Sequence, residues 1–125
     1  MTSSITILLA EDEPLVSLAT SDALEGAGFA VLKAYNGDQA IAMLDRHGRE
    51  VQGLITDVRL GAGPSGWEVA RHARELNSAL PIVYISGDCG ADWPVEGVPC
   101  SAVVAKPFAE VQVITAIATL LNTIG

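Results

Sequence analysis

The stretch Ile5-Thr6-Ile7-Leu8-Leu9-Ala10-Glu11-Asp12-Glu13-Pro14 changes character at a single point. Its first six residues form a short, nearly unbroken apolar run, the pattern of a strand buried on both faces. Three acids and a proline then break it. Pro14 suits the first turn of a helix, where its missing N–H costs nothing, with Asp12 or Glu13 as cap and as acidic partners for the helix dipole. Leu15, Leu18, Ala19 and Leu24 follow at helical spacing, and Gly26 and Gly28 close the helix.

The same cycle repeats along the chain. Phe29 to Ala34 reads as a second strand. Asn36-Gly37 turns the chain, and Asp38 is placed to cap a helix through Ala40, Ile41 and Leu44 to about Arg46. Gly53 to Asp57 is a third strand, and Trp67, Val69, Ala70, Ala73 and Leu76 mark an amphipathic helix. Pro81 to Ser86 is a fourth strand and Ser101 to Ala105 a fifth. Val111, Val113, Ile114, Ile117, Leu120 and Leu121 give a last helix. Between Gly87 and Cys100 stand Pro94, Pro99, Gly90 and Gly97, so a fourth helix there is expected to be short or irregular. Alternating strands and helices predict an α/β fold: a doubly wound, five-stranded parallel sheet with helices on both faces.

Composition agrees. The chain has 125 residues, half of them apolar and 18% charged, enough for a real core and too apolar for disorder. We read residues 1–125 as one domain without an output domain. The formal charge of −8 argues against general binding to nucleic acid or to an anionic membrane surface. No apolar run has the roughly 18 residues of a membrane span, and no basic stretch opens the chain as a secretory signal would. The expectation is a cytoplasmic protein whose two cysteines, Cys89 and Cys100, are free thiols.

In parallel sheets of this kind ligands sit outside the carboxyl ends of the strands. The first strand ends at Glu11-Asp12, the third at Asp57, the fourth at Ser86-Gly87 and the fifth at Lys106-Pro107. Three carboxylates, a hydroxyl and an ammonium therefore share one edge. Clustered carboxylates repel, and a hard divalent cation resolves the conflict. Mg²⁺ takes oxygen ligands and keeps several waters. Glu11, Asp12 and Asp57 are the candidate metal ligands, joined by a backbone carbonyl after the third strand, at Arg59. Lys106 and Ser86 exceed what a metal site needs. A carboxylate nucleophile that accepts a phosphoryl group needs its charge neutralised at several oxygens. Asp57, the most central carboxylate, is the candidate nucleophile. Taken singly, each residue has a plainer role: Glu11 and Asp12 as a helix-dipole cluster, Asp57 as a loop cap, Ser86 as a turn residue, Lys106 as a surface lysine. Together they favour the chemical reading.

On these residues the chain resembles a response-regulator receiver domain, the phosphoacceptor module of two-component signalling. The resemblance rests on Glu11-Asp12, Asp57, Ser86-Gly87 and Lys106-Pro107-Phe108, in order and each at a strand end. It covers essentially the whole chain. It implies a flavodoxin-like strand order 2-1-3-4-5, phosphorylation of Asp57, metal binding by Glu11 and Asp12, Ser86 as switch hydroxyl and Lys106 as the family's lysine. It also implies a histidine kinase or histidine phosphotransfer protein as donor. Output would come through a downstream protein target or a phosphorelay, from a monomer or weak homodimer. The only chemistry expected is Mg²⁺-dependent self-phosphorylation and autodephosphorylation, not that of an enzyme.

Three features depart from the family pattern. Receivers commonly carry Tyr or Phe three residues before the lysine, and Val103 stands there. The loop Gly61 to Gly66 is longer and looser than usual, with Pro64 displaced and Gly66 as the matching glycine. The fourth-helix region is the third. These features resemble an atypical alphaproteobacterial subset of stand-alone receivers that lacks the aromatic switch. They also sustain the alternative of a pseudo-receiver, an interaction module without phosphorylation. The loop after Asp57 and the segment Asp88 to Pro99 are the expected bistable elements. A flavodoxin-like cofactor site is disfavoured, because acids occupy its phosphate loop. A haloacid-dehalogenase-type phosphatase is disfavoured because Arg59 stands where its second aspartate would. Trp67 is read as packing or partner surface, Trp93 as a pin for the irregular segment, and His47 and His72 as residues of solvated helix faces. Asp88 is close enough to Ser86 to influence water access.

Overall fold

Val51–Asp57 forms the central strand β3 of the structure, a computed structural model that describes residues 4–87 and 91–124. β1 (Thr6–Ala10) pairs with it on one side and β4 (Ile82–Ser86) on the other. β2 (Ala30–Ala34) and β5 (Ala102–Ala105) complete a parallel sheet of order β2-β1-β3-β4-β5. This is the strand order and fold expected. β3 begins at Val51, two residues before the Gly53 read from sequence, and β2 begins at Ala30.

The helices are α1 (Pro14–Gly26), α2 (Gly37–His47), α3 (Gly66–Leu76), α4 (Trp93–Glu96) and α5 (Glu110–Ile124). Strand side chains alternate between two cores. Leu8, Leu54, Ile82 and Tyr84 pack with Leu44, Trp67, Val69 and Ala73 of α2 and α3. Ile7, Leu9, Ile55, Val83 and Ile85 pack with Leu24 of α1 and with Val113 and Ile117 of α5. Gly53 belongs to the second layer. A Cβ there would lie 2.8 Å from the Ile7 Cδ1 and 3.2 Å from the Ile117 Cδ1, so these isoleucines fill the space a side chain would take.

Three sequence expectations are corrected. In α1 the leucine stripe is not the buried face. Leu15 is 81% and Leu18 49% exposed, and Ala19 is exposed, while Ser17, Thr20, Ser21 and Leu24 are buried. Serine and threonine recur with the same period, and with Leu24 they form the buried face of the helix. Glu13 takes the N-cap position of α1, but its side chain makes no capping bond. In α2 the cap is Asn36, whose Oδ1 accepts the Gln39 amide at 2.8 Å, and Asp38 lies inside the first turn. α4 is a single turn, as the prolines and glycines predict.

Trp67 packs on Tyr84 with ring centroids 4.5 Å apart, and Trp93 pins its segment by donating Nε1–H to the Ser101 hydroxyl at 2.9 Å. The histidines are less solvated than expected. His72 Nε2 lies 2.7 Å from the Asp45 carboxylate across the α2–α3 contact, and His47 Nδ1 lies 3.5 Å from Glu50. Cys100 is free and exposed. Asp88 and Cys89, and the roles read for them, lie outside the described residues. No helix among the described residues is long and apolar enough to cross a membrane.

Candidate functional site

The parallel register delivers the strand ends to one edge. Asp57 closes β3 and pairs with Ile85 of β4, and Ser86 follows Ile85 and pairs with Ala105 of β5. Ser86 is buried at the same edge, and its carbonyl accepts the backbone N–H of Lys106 at 2.9 Å, which fixes the start of the lysine loop. The Lys106–Pro107 bond is cis.

The Asp57 carboxylate is 3% exposed as a residue and held on both oxygens. Oδ1 accepts the backbone N–H of Arg59 at 3.1 Å, and Oδ2 accepts from the Lys106 ammonium at 2.6 Å. Burial by itself would lower the pKa of Lys106. The hydrogen bond and charge of Asp57, with the charges of Glu11 and Glu13, outweigh it and raise the pKa above its ordinary value. The ammonium is thus a fixed positive charge beside the carboxylate.

Glu11 is turned inward and is 1% exposed. Its Oε2 accepts the Glu13 amide at 3.2 Å, whereas its Oε1 is buried with no hydrogen-bond partner. Burial raises its pKa to about 7. The charge of Asp57 and the neighbouring Asp12 carboxyl push the same way, against the Glu13 amide and the Lys106 charge. Asp12 is exposed at the rim. Glu11, Asp12 and Asp57 each offer one oxygen, and these oxygens lie within 4.8 Å of one another. An all-oxygen donor set with one orphaned buried oxygen suits a hard divalent cation. Four of the six residues read from sequence, Glu11, Asp12, Asp57 and Lys106, are thus gathered by side chain, and Ser86 is buried at the same edge. Arg59 contributes its backbone amide to Asp57, while its side chain is exposed.

Gly66 completes the back of the site. A Cβ at this position would stand 2.0 Å from the carbonyl oxygen of Asp57, and the Gly66 amide donates to the Val58 carbonyl at 2.8 Å. The loop from Gly61 to Ser65 therefore closes directly against β3. It ends in a capping box, Ser65 with Glu68, whose Ser-x-x-Glu spacing was available in the sequence. Beside Gly87 the space is open. Sequence reasoning missed the Arg59 amide, because a backbone donor leaves no mark in residue type.

A family model for the response regulator receiver domain matches residues 7–118. The chain belongs to the response-regulator receiver family. This receiver is 45% identical to a response regulator receiver protein from Sinorhizobium medicae WSM419, with a TM-score of 0.92 and 96% of each chain covered. Among curated proteins it is 28% identical to the probable transcriptional regulatory protein TcrX of Mycobacterium tuberculosis, over 97% of this chain and 51% of TcrX. It is 30% identical to the phosphate regulon transcriptional regulatory protein PhoB of Pseudomonas aeruginosa, over 96% of this chain and 53% of PhoB. Against the sensor kinase CckA of Brucella abortus it is 28% identical, over 98% of this chain and 13% of CckA. The receiver thus spans about half, or less, of the length of these curated relatives.

Proposed function

We propose that this receiver accepts a phosphoryl group on Asp57 from a histidine kinase or phosphotransfer protein and signals through contact with another protein or through a relay. The observation that carries this is the pairing of a buried carboxylate with a lysine ammonium at 2.6 Å, beside two further carboxylates. Likeness to a sensor kinase and to the receiver domain of the hybrid histidine kinase CckA supports a place in phosphoryl traffic.

Glu11, Asp12 and Asp57 are the residues to hold Mg²⁺, with the Arg59 carbonyl as a fourth protein donor. When bound, the ion neutralises carboxylate charge and one oxygen of the incoming phosphoryl group. The Asp57 carboxylate attacks phosphorus, the bond from phosphorus to the donor nitrogen breaks, and the nitrogen keeps the electron pair. Lys106 neutralises a second phosphoryl oxygen and the Ser86 hydroxyl donates to a third. The product is a mixed anhydride on Asp57, and hydrolysis by water returns the carboxylate. Asp57 already bears one negative charge, so the phosphoryl group, at about −1.5 to −2, changes the local charge by roughly −1.

Intact mass after incubation with a small-molecule phosphodonor tests this. The expected result is one phosphoryl adduct that requires Mg²⁺ and is absent from Asp57→Asn. The absence of an adduct, together with no response to Mg²⁺ plus beryllofluoride, would overturn the proposal.

A further inference from the structure

The segment that follows the site along β4 re-enters the described residues at Ala91 and is regular for one turn only. It is held in place by other elements. From α3, Arg74 donates to the Pro99 carbonyl at 2.6 Å and to the Cys100 carbonyl at 3.2 Å, and Arg71 donates to the Glu96 carbonyl at 3.2 Å. Within the segment, Ser101 accepts from Trp93 and donates to the Val98 carbonyl at 2.6 Å. The remaining tie comes from the sheet. The Val98 amide is buried and donates to the Tyr84 hydroxyl at 3.1 Å.

Tyr84 is fully buried on β4, two residues before Ser86. Side chains two apart on a strand point to the same face, so Tyr84 and Ser86 both face the layer that contains α3 and α4. The Tyr84 ring is wedged against Trp67, which leaves the hydroxyl little freedom to follow the loop if the strand shifts. The residue beside Tyr84 in register on β5 is Val103, which has no polar side-chain atom with which to hold a backbone amide. Among the described residues, the Tyr84–Val98 bond is a polar route by which movement of the β4 end can reach the segment, and hydrogen bonds weaken steeply as geometry degrades.

We propose that Tyr84 is the residue through which this receiver couples its site to the 93–101 segment. The phenol carries the position of β4, and of Ser86, to the Val98 amide, and Val103 takes no part. The inference rests on the phosphoacceptor reading and specifies its output. The two states are a Val98 amide bonded to Tyr84 and the same amide released to another partner.

Amide spectra of ¹⁵N-labelled protein, with and without Mg²⁺ plus beryllofluoride, test it. Val58 and Arg59 report on the site, and Val98 and Ser101 report on the segment. In wild type both sets shift, and exchange of the Val98 amide with solvent changes by about tenfold or more. In Tyr84→Phe the site amides still shift, which also shows that the variant is folded, while the segment response falls by more than half. Val103→Ala keeps both responses. An unaltered Val98 in wild type, a full segment response in Tyr84→Phe, or its loss in Val103→Ala would overturn the coupling role. Silent Val58 and Arg59 in wild type would instead remove the phosphoacceptor reading, and the coupling role with it.

Discussion

Acidification should loosen a divalent cation from the three-carboxylate cluster, and Glu11 sets the range. In the metal-free fold its pKa is raised from 4.5 to about 7, chiefly by burial. The folded chain therefore binds a proton that the unfolded chain has already lost between those values. This contribution to stability is fully present below 4.5, declines as pH rises, and is gone above about 7. At ~1.4 kcal/mol per pH unit, the interval from 4.5 to 7 bounds the loss at about 3 kcal/mol. A bound cation competes with that proton. Its affinity should thus weaken about tenfold per pH unit below 7, with close to one proton released per ion at about pH 6 and almost none at about pH 8. Calorimetric Mg²⁺ titration at the two pH values, in buffers of different ionisation enthalpy, measures both quantities. Glu11→Gln should remove the proton release and flatten the pH dependence of stability. Equal Mg²⁺ affinity at both pH values with no proton release would refute the reasoning, since Glu11 would then be ionised in the fold or not a ligand.

Replacing Lys106 by Met should slow phosphorylation on the order of a hundredfold, because a positioned donor is lost where charge develops; the rate of adduct formation checks this. Gly53→Ala should cost about 1–3 kcal/mol in urea unfolding, since its Cβ meets Ile7 and Ile117 inside a filled layer. Ser17→Ala should stabilise the fold by about 1 kcal/mol, as the Ser17 hydroxyl is buried with no hydrogen-bond partner, whereas Leu15→Ser should be neutral within about 0.5 kcal/mol. The two urea midpoints read this directly, and the opposite ranking would mean that α1 sits with its leucines inward.

What could be read from the sequence was what residue order encodes. Apolar runs ended by Glu11, Asp57, Ser86 and Lys106 place four chemical groups at one edge as soon as the sheet is parallel, and register does the rest. The rotation of α1 could not be read, because Leu15-Leu18 and Ser17-Thr20-Ser21 share one period and only packing distance chooses between them. The sequence points to Asp38 as the α2 cap, whereas Asn36, which reads as a turn residue, also carries a side-chain oxygen able to accept, and the helix starts one residue after it. Contacts between distant side chains and backbone, such as Arg74 with Pro99 or Tyr84 with Val98, leave no local pattern. The pairing of His72 with Asp45 likewise depends on how α2 and α3 meet.

The Lys106–Asp57 contact joins residues 49 positions apart, and Glu11 reaches the same cluster from the end of the first strand. Contacts of this range form slowly as a chain folds, because the loop-closure entropy is paid before they are made. The proposed phosphoryl chemistry would then depend on finished assembly of the sheet edge. A copy that has not closed its sheet edge lacks the paired carboxylate and ammonium on which the proposed chemistry rests.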